Sequence, residues 1–102
     1  MGCRFVISPG AANQISSAFH YYTTQSTKIG QEFLFEIEMQ INRIASNPQF
    51  YRIYYKNYRR KLLDRFPYSL FYIYNKKKLL VEISILYHQK QNPESLEHKL
   101  NQ

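Results

Sequence analysis

Cysteine is nearly absent from this chain of 102 residues. Cys3 is the only one, so no intrachain disulfide can form, and a reduced, cytoplasmic setting is the expectation. Long apolar runs are missing as well. The longest, Leu70–Tyr74, is far below the roughly 18 residues that a membrane span needs, and no membrane association is expected. The opening Met1-Gly2-Cys3-Arg4-Phe5 lacks a signal-peptide layout, and Val6 stands where a myristoylation start wants Ser or Thr. Glycine is confined to Gly2, Gly10 and Gly30, which leaves no Gly-rich phosphate loop, and no Gly-x-Ser-x-Gly elbow occurs. His20, His88 and His98 are scattered, with no Cys partner at ligand spacing, so neither a metal centre nor a cofactor is expected. Acidic residues are thin in the second half, where Asp64 and Glu82 stand alone before residue 92, so a paired acid–base carboxylate site is not expected there.

What the chain has is aromatic and basic. Ten Tyr and seven Phe make up 17% of it, too many for a disordered segment. The length suits one domain, able to bury roughly 60–70% of the surface of its unfolded chain. The formal net charge of +7 is unevenly placed. Residues 1–50 balance Arg4, Lys28 and Arg43 against Glu32, Glu36 and Glu38. Residues 51–91 set ten bases against two acids, a surplus of eight. A basic surface of this kind attracts phosphates or an acidic protein partner.

Cys3–Ser8 is β-rich and reads as a first strand. Ser8-Pro9 then starts a helix, with Ser8 as cap and Pro9 at the first helical position. Ala12, Ile15, Phe19 and Tyr22 recur on one helical face. Thr23–Thr27 is a polar break. A second helix is expected from about Lys28 to Ala45, with Phe33, Ile37, Ile41 and Ile44 inward and Glu32, Glu36, Gln40 and Arg43 outward. Asn47-Pro48 ends it. The later part of Tyr54–Arg65 reads as a strand, and Tyr68–Tyr74 as a central strand apolar on both faces. After a hairpin connection at Asn75–Lys78, Leu79–His88 alternates. Leu79, Val81, Ile83, Ile85 and Tyr87 are expected to meet the helices, and Leu80, Glu82, Ser84, Leu86 and His88 to line the other face. Glu94–Leu100 could form one helical turn or two. The expected fold is α+β: a two-layer β-αα-βββ domain with a helix hairpin packed on a small, mostly antiparallel sheet, whose other face carries Tyr, Arg and His. Residues 1–93 form the domain, and residues 94–102 a polar C-terminal tail.

One constellation could carry chemistry. Arg59, Arg60, Lys61, Arg65, Tyr68, Tyr87, His88 and Lys90 all lie on sheet strands or their ends. Metal-free RNA cleavage uses such groups: a His or Tyr moves the proton of the 2′-hydroxyl, and Arg or Lys stabilises the phosphorane. The plainer reading has His88 filling a strand end, the tyrosines packing at the sheet edge, and the basic run serving as a partner-binding edge.

Several segments together resemble the RelE/ParE superfamily of type II toxin–antitoxin toxins, and within it the ParE-like, plasmid-stabilisation branch. They are Phe5-Val6-Ile7-Ser8-Pro9, Tyr21-Tyr22, Gly30-Gln31-Glu32-Phe33 and Ile44-Ala45-Ser46-Asn47-Pro48. The most specific is Arg59–Tyr72, which is similar to the branch's arginine pair followed by Arg-Phe-Pro-Tyr and an apolar strand. Ile85–Pro93 is similar to its terminal His-x-Arg-Arg-Asp-Pro, with Lys90, Gln91 and Asn92 in place of the two arginines and the aspartate. The resemblance spans about residues 4–93 and implies the same β-αα-βββ layout. It implies a growth-inhibiting toxin held in a heteromeric complex with a cognate antitoxin, and DNA gyrase as its target. The ribonuclease branch, which cuts mRNA in the ribosome, tends to carry an arginine directly after the central-strand tyrosine; here Ser69 follows Tyr68. A non-enzymatic gyrase poison is therefore the first expectation. A metal-free endoribonuclease using His88 and Tyr68 with Arg60 or Arg65, or a degenerate member that only binds antitoxin, are the alternatives. The expected partner-binding residues are Arg59, Arg60, Lys61, Arg65, Tyr68, His88 and Lys90.

Overall fold

The computed structural model describes residues 2–91 and 93–101. Strand β1 (Arg4–Ile7) leads into helix α1 (Pro9–Gln25) and helix α2 (Thr27–Ser46). Strands β2 (Ile53–Tyr55), β3 (Tyr58–Leu62), β4 (Tyr68–Asn75) and β5 (Leu80–His88) follow, and then helix α3 (Pro93–Leu100). The sheet order is β1-β5-β4-β3-β2. Only β1 runs parallel, beside β5; the other pairs are antiparallel. The fold is α+β, with the helix hairpin on one face of a mostly antiparallel sheet. Among the described residues no helix is long and apolar enough to cross a membrane.

Local chemistry explains the hairpin. Ser8 is extended, and its Oγ accepts the Ala11 amide at 3.1 Å, capping α1 ahead of Pro9. The polar break is shorter than the sequence suggests. Ser26 alone separates the helices, donating its amide to the Tyr22 carbonyl while its Oγ accepts from the Ile29 amide. So tight a connection presses the helices together at Gly30. A Cβ there would overlap Thr23 Oγ1 and sit 3.2 Å from Thr23 Cα. Helix propensity alone would make Gly30→Ala stabilising by about 1 kcal/mol. The contact reverses the sign, and a loss of about 1 kcal/mol is expected in urea unfolding; a gain would contradict the packing described.

The main core lies between the hairpin and the sheet. Phe33, Ile37, Ile41 and Ile44 of α2 meet Leu70, Tyr72, Val81, Ile83 and Leu86 of the two central strands. The Tyr72 hydroxyl, buried in this layer, donates to the Pro48 carbonyl at 2.6 Å and ties the chain leaving α2 to the sheet.

Two expectations are corrected here. Ile85 and Tyr87 do not meet the helix hairpin, and Leu86 and His88 do not line the far face. Phe71 pairs with Ile85 but Tyr72 with Ile83, which leaves Ser84 as an extra residue. This bulge inverts the alternation of β5 beyond it. Leu86 turns into the hairpin core, while Ile85 and Tyr87 join Phe71 on the opposite face, where Leu96 and Leu100 of α3 cover them. Helix α1 is moored at the bulge. Ser8 Oγ donates to the Ser84 carbonyl at 3.0 Å, and Gln14 Oε1 accepts the Leu86 amide at 2.9 Å.

The second correction concerns α2. Glu36 and Gln40 point inward and are 1% and 0% exposed. The Asp64–Phe66 loop crosses over α2 with amides that have no strand partner, and Glu36 supplies the acceptor. Its Oε2 takes the Asp64 amide, its Oε1 takes the Arg65 amide at 3.1 Å, and Gln40 Nε2 donates to it at 3.3 Å. Burial of a carboxylate is tolerated because these donors replace water.

Candidate functional site

Tyr68 opens β4 and pairs in register with His88, which closes β5. Their rings meet edge to face with centroids 4.9 Å apart. Tyr68 faces the hairpin side by the alternation of β4 and His88 because of the bulge in β5, so the far face does not carry this Tyr–His pair. Around them Tyr22, Phe33 and Phe66 form an edge-on cluster: Tyr22 lies 5.0 Å from Phe66, and Phe33 lies 5.8 Å from Tyr68. One cleft beside it, of about 510 Å³, runs along α1 past Gln14, Ser17 and Tyr21 to His88, Gln91 and Lys99.

The tyrosines here resist ionisation. Burial first, and then the neighbouring Tyr68 to which it hydrogen-bonds, push Tyr22 up to about 12. Burial likewise raises Tyr68 and, in the core, Tyr72. A raised folded value favours the protonated, folded state. Stability from these groups is therefore complete below pH 10 and is lost as pH rises from about 10 toward 12. A spectrophotometric titration at 295 nm is expected to show a delayed group of tyrosines that ionises together with unfolding; one wave of all ten near pH 10 would contradict this.

His88 is held by the turn that follows it. Its Nδ1 accepts the Lys90 amide at 3.0 Å, and its own amide donates to Gln91 Oε1 at 3.1 Å. The Gln89 amide donates to the Pro67 carbonyl at 2.8 Å. With the Nδ1 lone pair engaged, the neutral ring carries its proton on Nε2 and presents a donor, not a base. Lys90 and Gln91 thus sit in a turn fixed by the imidazole; Asn92 lies outside the described residues.

The arginines go elsewhere. Arg65 leans over Phe66 and is met by Glu32 at 3.5 Å and Glu36 at 3.8 Å. Arg59 and Arg60 are adjacent on a strand and must point to opposite faces. Arg59 turns to the helix side and donates to the carbonyls of Gln49 and Tyr51, at 3.3 and 2.7 Å, as a strut for the loop after α2. Arg60 turns to the far face and stacks 4.6 Å over Tyr54, which rests on Phe71. Lys61 reaches the Leu62 carbonyl at 2.9 Å and Asp64 at 3.8 Å. Tyr68, His88 and Lys90 are therefore brought together. Arg65 joins them only through Phe66 and Tyr22, and Arg60 lies across the sheet. Ser69 faces Arg60's side, in a cleft of about 310 Å³ with Leu62, Tyr87, Gln89 and Gln91.

Sequence reasoning missed two features. Tyr54, the first residue of Tyr54–Arg65, and Tyr51 just before it brace cations; their signal is the interleaving of Tyr with Arg and Lys. A shallow apolar cleft of about 510 Å³ along α2, lined by Phe35, Met39 and Tyr51 between Glu38 and Arg43, also went unnoticed. Its signal was Phe35, which falls off the apolar stripe and is 66% exposed. Among the described residues no group of His, Cys, Asp and Glu could hold a metal ion.

Comparison with known proteins matches this arrangement. No curated protein matches the chain significantly. A solved structure described as a chromosomal ParDE toxin–antitoxin system from P. aeruginosa superposes with a TM-score of 0.72 at 16% identity, covering 84% of this chain and 95% of that one. At that identity the likeness concerns the fold. The family model for the ParE toxin of the type II toxin–antitoxin system parDE matches residues 5–93, from β1 through the Tyr68–His88 pair to the start of α3. The chain belongs to the ParE toxin family of type II toxin–antitoxin systems.

Proposed function

We propose that this chain stops growth by binding and poisoning DNA gyrase in the cytoplasm, and that a cognate antitoxin neutralises it in a heteromeric complex. Family membership supports the toxin and antitoxin roles. One observation favours action by binding over RNA cleavage. His88, the candidate base, has its Nδ1 engaged by the Lys90 amide, and the arginines that would stabilise a phosphorane are paired with carboxylates or turned to the other face. The proposed antitoxin segment is acidic and apolar. It meets the surface carrying Arg59, Arg60, Lys61, Arg65, Tyr68, His88 and Lys90, and the apolar cleft on α2 offers it a place for a helix.

The test is expression of the chain alone, with growth and messenger integrity followed together. Growth arrest with intact messengers is expected. Arrest with messengers cut during translation would establish the endoribonuclease reading, and undisturbed growth would mark a member that only binds antitoxin. Coexpression with a small acidic protein encoded beside the gene is expected to restore growth.

A further inference from the structure

Cations on a folded domain are usually met by carboxylates. Along the edge formed by β2 and β3 they are met by tyrosine rings. Arg60 lies 4.6 Å over Tyr54, Lys61 lies 5.5 Å over Tyr51, and Lys56, in the turn between the strands, lies 5.6 Å over Tyr55. A ring quadrupole steadies a cation without cancelling its charge. Among the described residues, Lys61 is the one base of residues 52–61 with a carboxylate in ion-pair range, and that contact, to Asp64, is 3.8 Å. Arg52 and Arg60 stand side by side, the Arg60 amide donating to the Arg52 carbonyl at 3.2 Å. Like charges on paired backbone segments cost stability, and no carboxylate among the described residues lies in ion-pair range of either. Tyr51, Arg52, Tyr54, Arg60, Lys61 and Leu62 line a cleft of about 350 Å³ in whose wall no acidic group lies among the described residues.

We propose that this edge binds the phosphodiester backbone of single-stranded nucleic acid, with phosphates on the exposed Arg52 and Arg60 and a base against the exposed part of Tyr54. The site lies apart from the Tyr68–His88 pair; it shares Arg60 with the surface proposed for the antitoxin and adds a ligand class that neither gyrase nor antitoxin binding calls for. Two features favour a nucleic acid over an acidic peptide added as a strand. The β2–β3 pairing is only a few residues long and slips register between Ile53 and Tyr55, which makes a poor template for strand addition. The cations also alternate with aromatic rings, the pattern that holds phosphates and bases together.

Fluorescence anisotropy of the purified chain tests this, using labelled single-stranded DNA, single-stranded RNA and duplex DNA of one sequence across a salt series. Single strands are expected to bind more tightly than the duplex, and the DNA and RNA arms identify the preferred sugar. The slope of log affinity against log salt should be about −1.5 to −2 for two phosphates. Arg60→Glu should weaken binding about tenfold or more and flatten the slope by about one. Tyr54→Ala, which leaves every charge in place, should weaken single-strand binding by about fivefold or more. Circular dichroism establishes that both variants are folded. Replacing Lys76, Lys77 and Lys78 together by alanine removes three cations at the distant β4–β5 turn and should change affinity by less than about threefold. Absence of binding at low salt would overturn the proposal. So would equal weakening by the triple lysine variant, or displacement of the strand by polyglutamate at matched charge. Each of these outcomes is independent of growth arrest and of gyrase inhibition.

Discussion

Glu36→Ala lowers the unfolding free energy by about 3 kcal/mol, one of the two largest single-residue effects expected for this protein. The buried carboxylate takes the part-buried amides of Asp64 and Arg65 and a buried bond from Gln40. Alanine removes the acceptor of both amides and leaves Gln40 without its partner. Domains of this size lose about 4–8 °C in melting temperature per kcal/mol, so a drop of about 12–24 °C is expected. Glu32→Ala is the control. Glu32 also meets Arg65, at 3.5 Å, but on the surface, and its removal should cost less than about 1 kcal/mol. Similar losses for the two variants would show that the Arg65 ion pair, and not the loop amides, is what Glu36 serves. The loop leads into Pro67 and Tyr68, so its loosening should also disturb the Tyr68–His88 pair.

Phe33→Ala should cost about 3–5 kcal/mol. Phe33 has no exposed surface and lies 5.2 Å from both Tyr22 and Phe66 and 5.8 Å from Tyr68. Its removal opens a cavity that the three remaining rings and two helices cannot close without moving α2. Phe35→Ala, on the same helix but in the exposed cleft, should change stability by less than about 0.5 kcal/mol. Chemical denaturation of the two variants side by side measures the difference. A Phe33→Ala loss below about 1.5 kcal/mol would mean that the cluster is not the packed unit described.

The helices were legible because their cause is local. Ile37, Ile41 and Ile44 repeat at helical spacing within α2, and Ser8-Pro9 states the start of α1 in two residues. The family segments were legible for a similar reason, being contiguous stretches in order. The burial of Glu36 was not legible, because its partners lie 28 and 29 residues away in a loop whose path depends on the sheet. Nor was the bulge. The sequence of β5 alternates correctly on either side of Ser84, and only pairing with β4 reveals that one residue is extra. That single residue moves His88 from the far face to the hairpin side and separates it from Arg60. The division of Arg59 from Arg60 could have been read from the two-residue period of a strand alone. Treating them as one basic patch overlooked it.

The proposal that carries the most weight is that the chain acts by binding gyrase and not by cutting RNA. Its most direct test is supercoiling of relaxed plasmid by purified gyrase with ATP and increasing amounts of this protein. The account predicts that supercoiling fails at excess protein and that cleaved plasmid accumulates in the trapped enzyme complex. Full supercoiling with no cleaved plasmid, at the same excess, would contradict it.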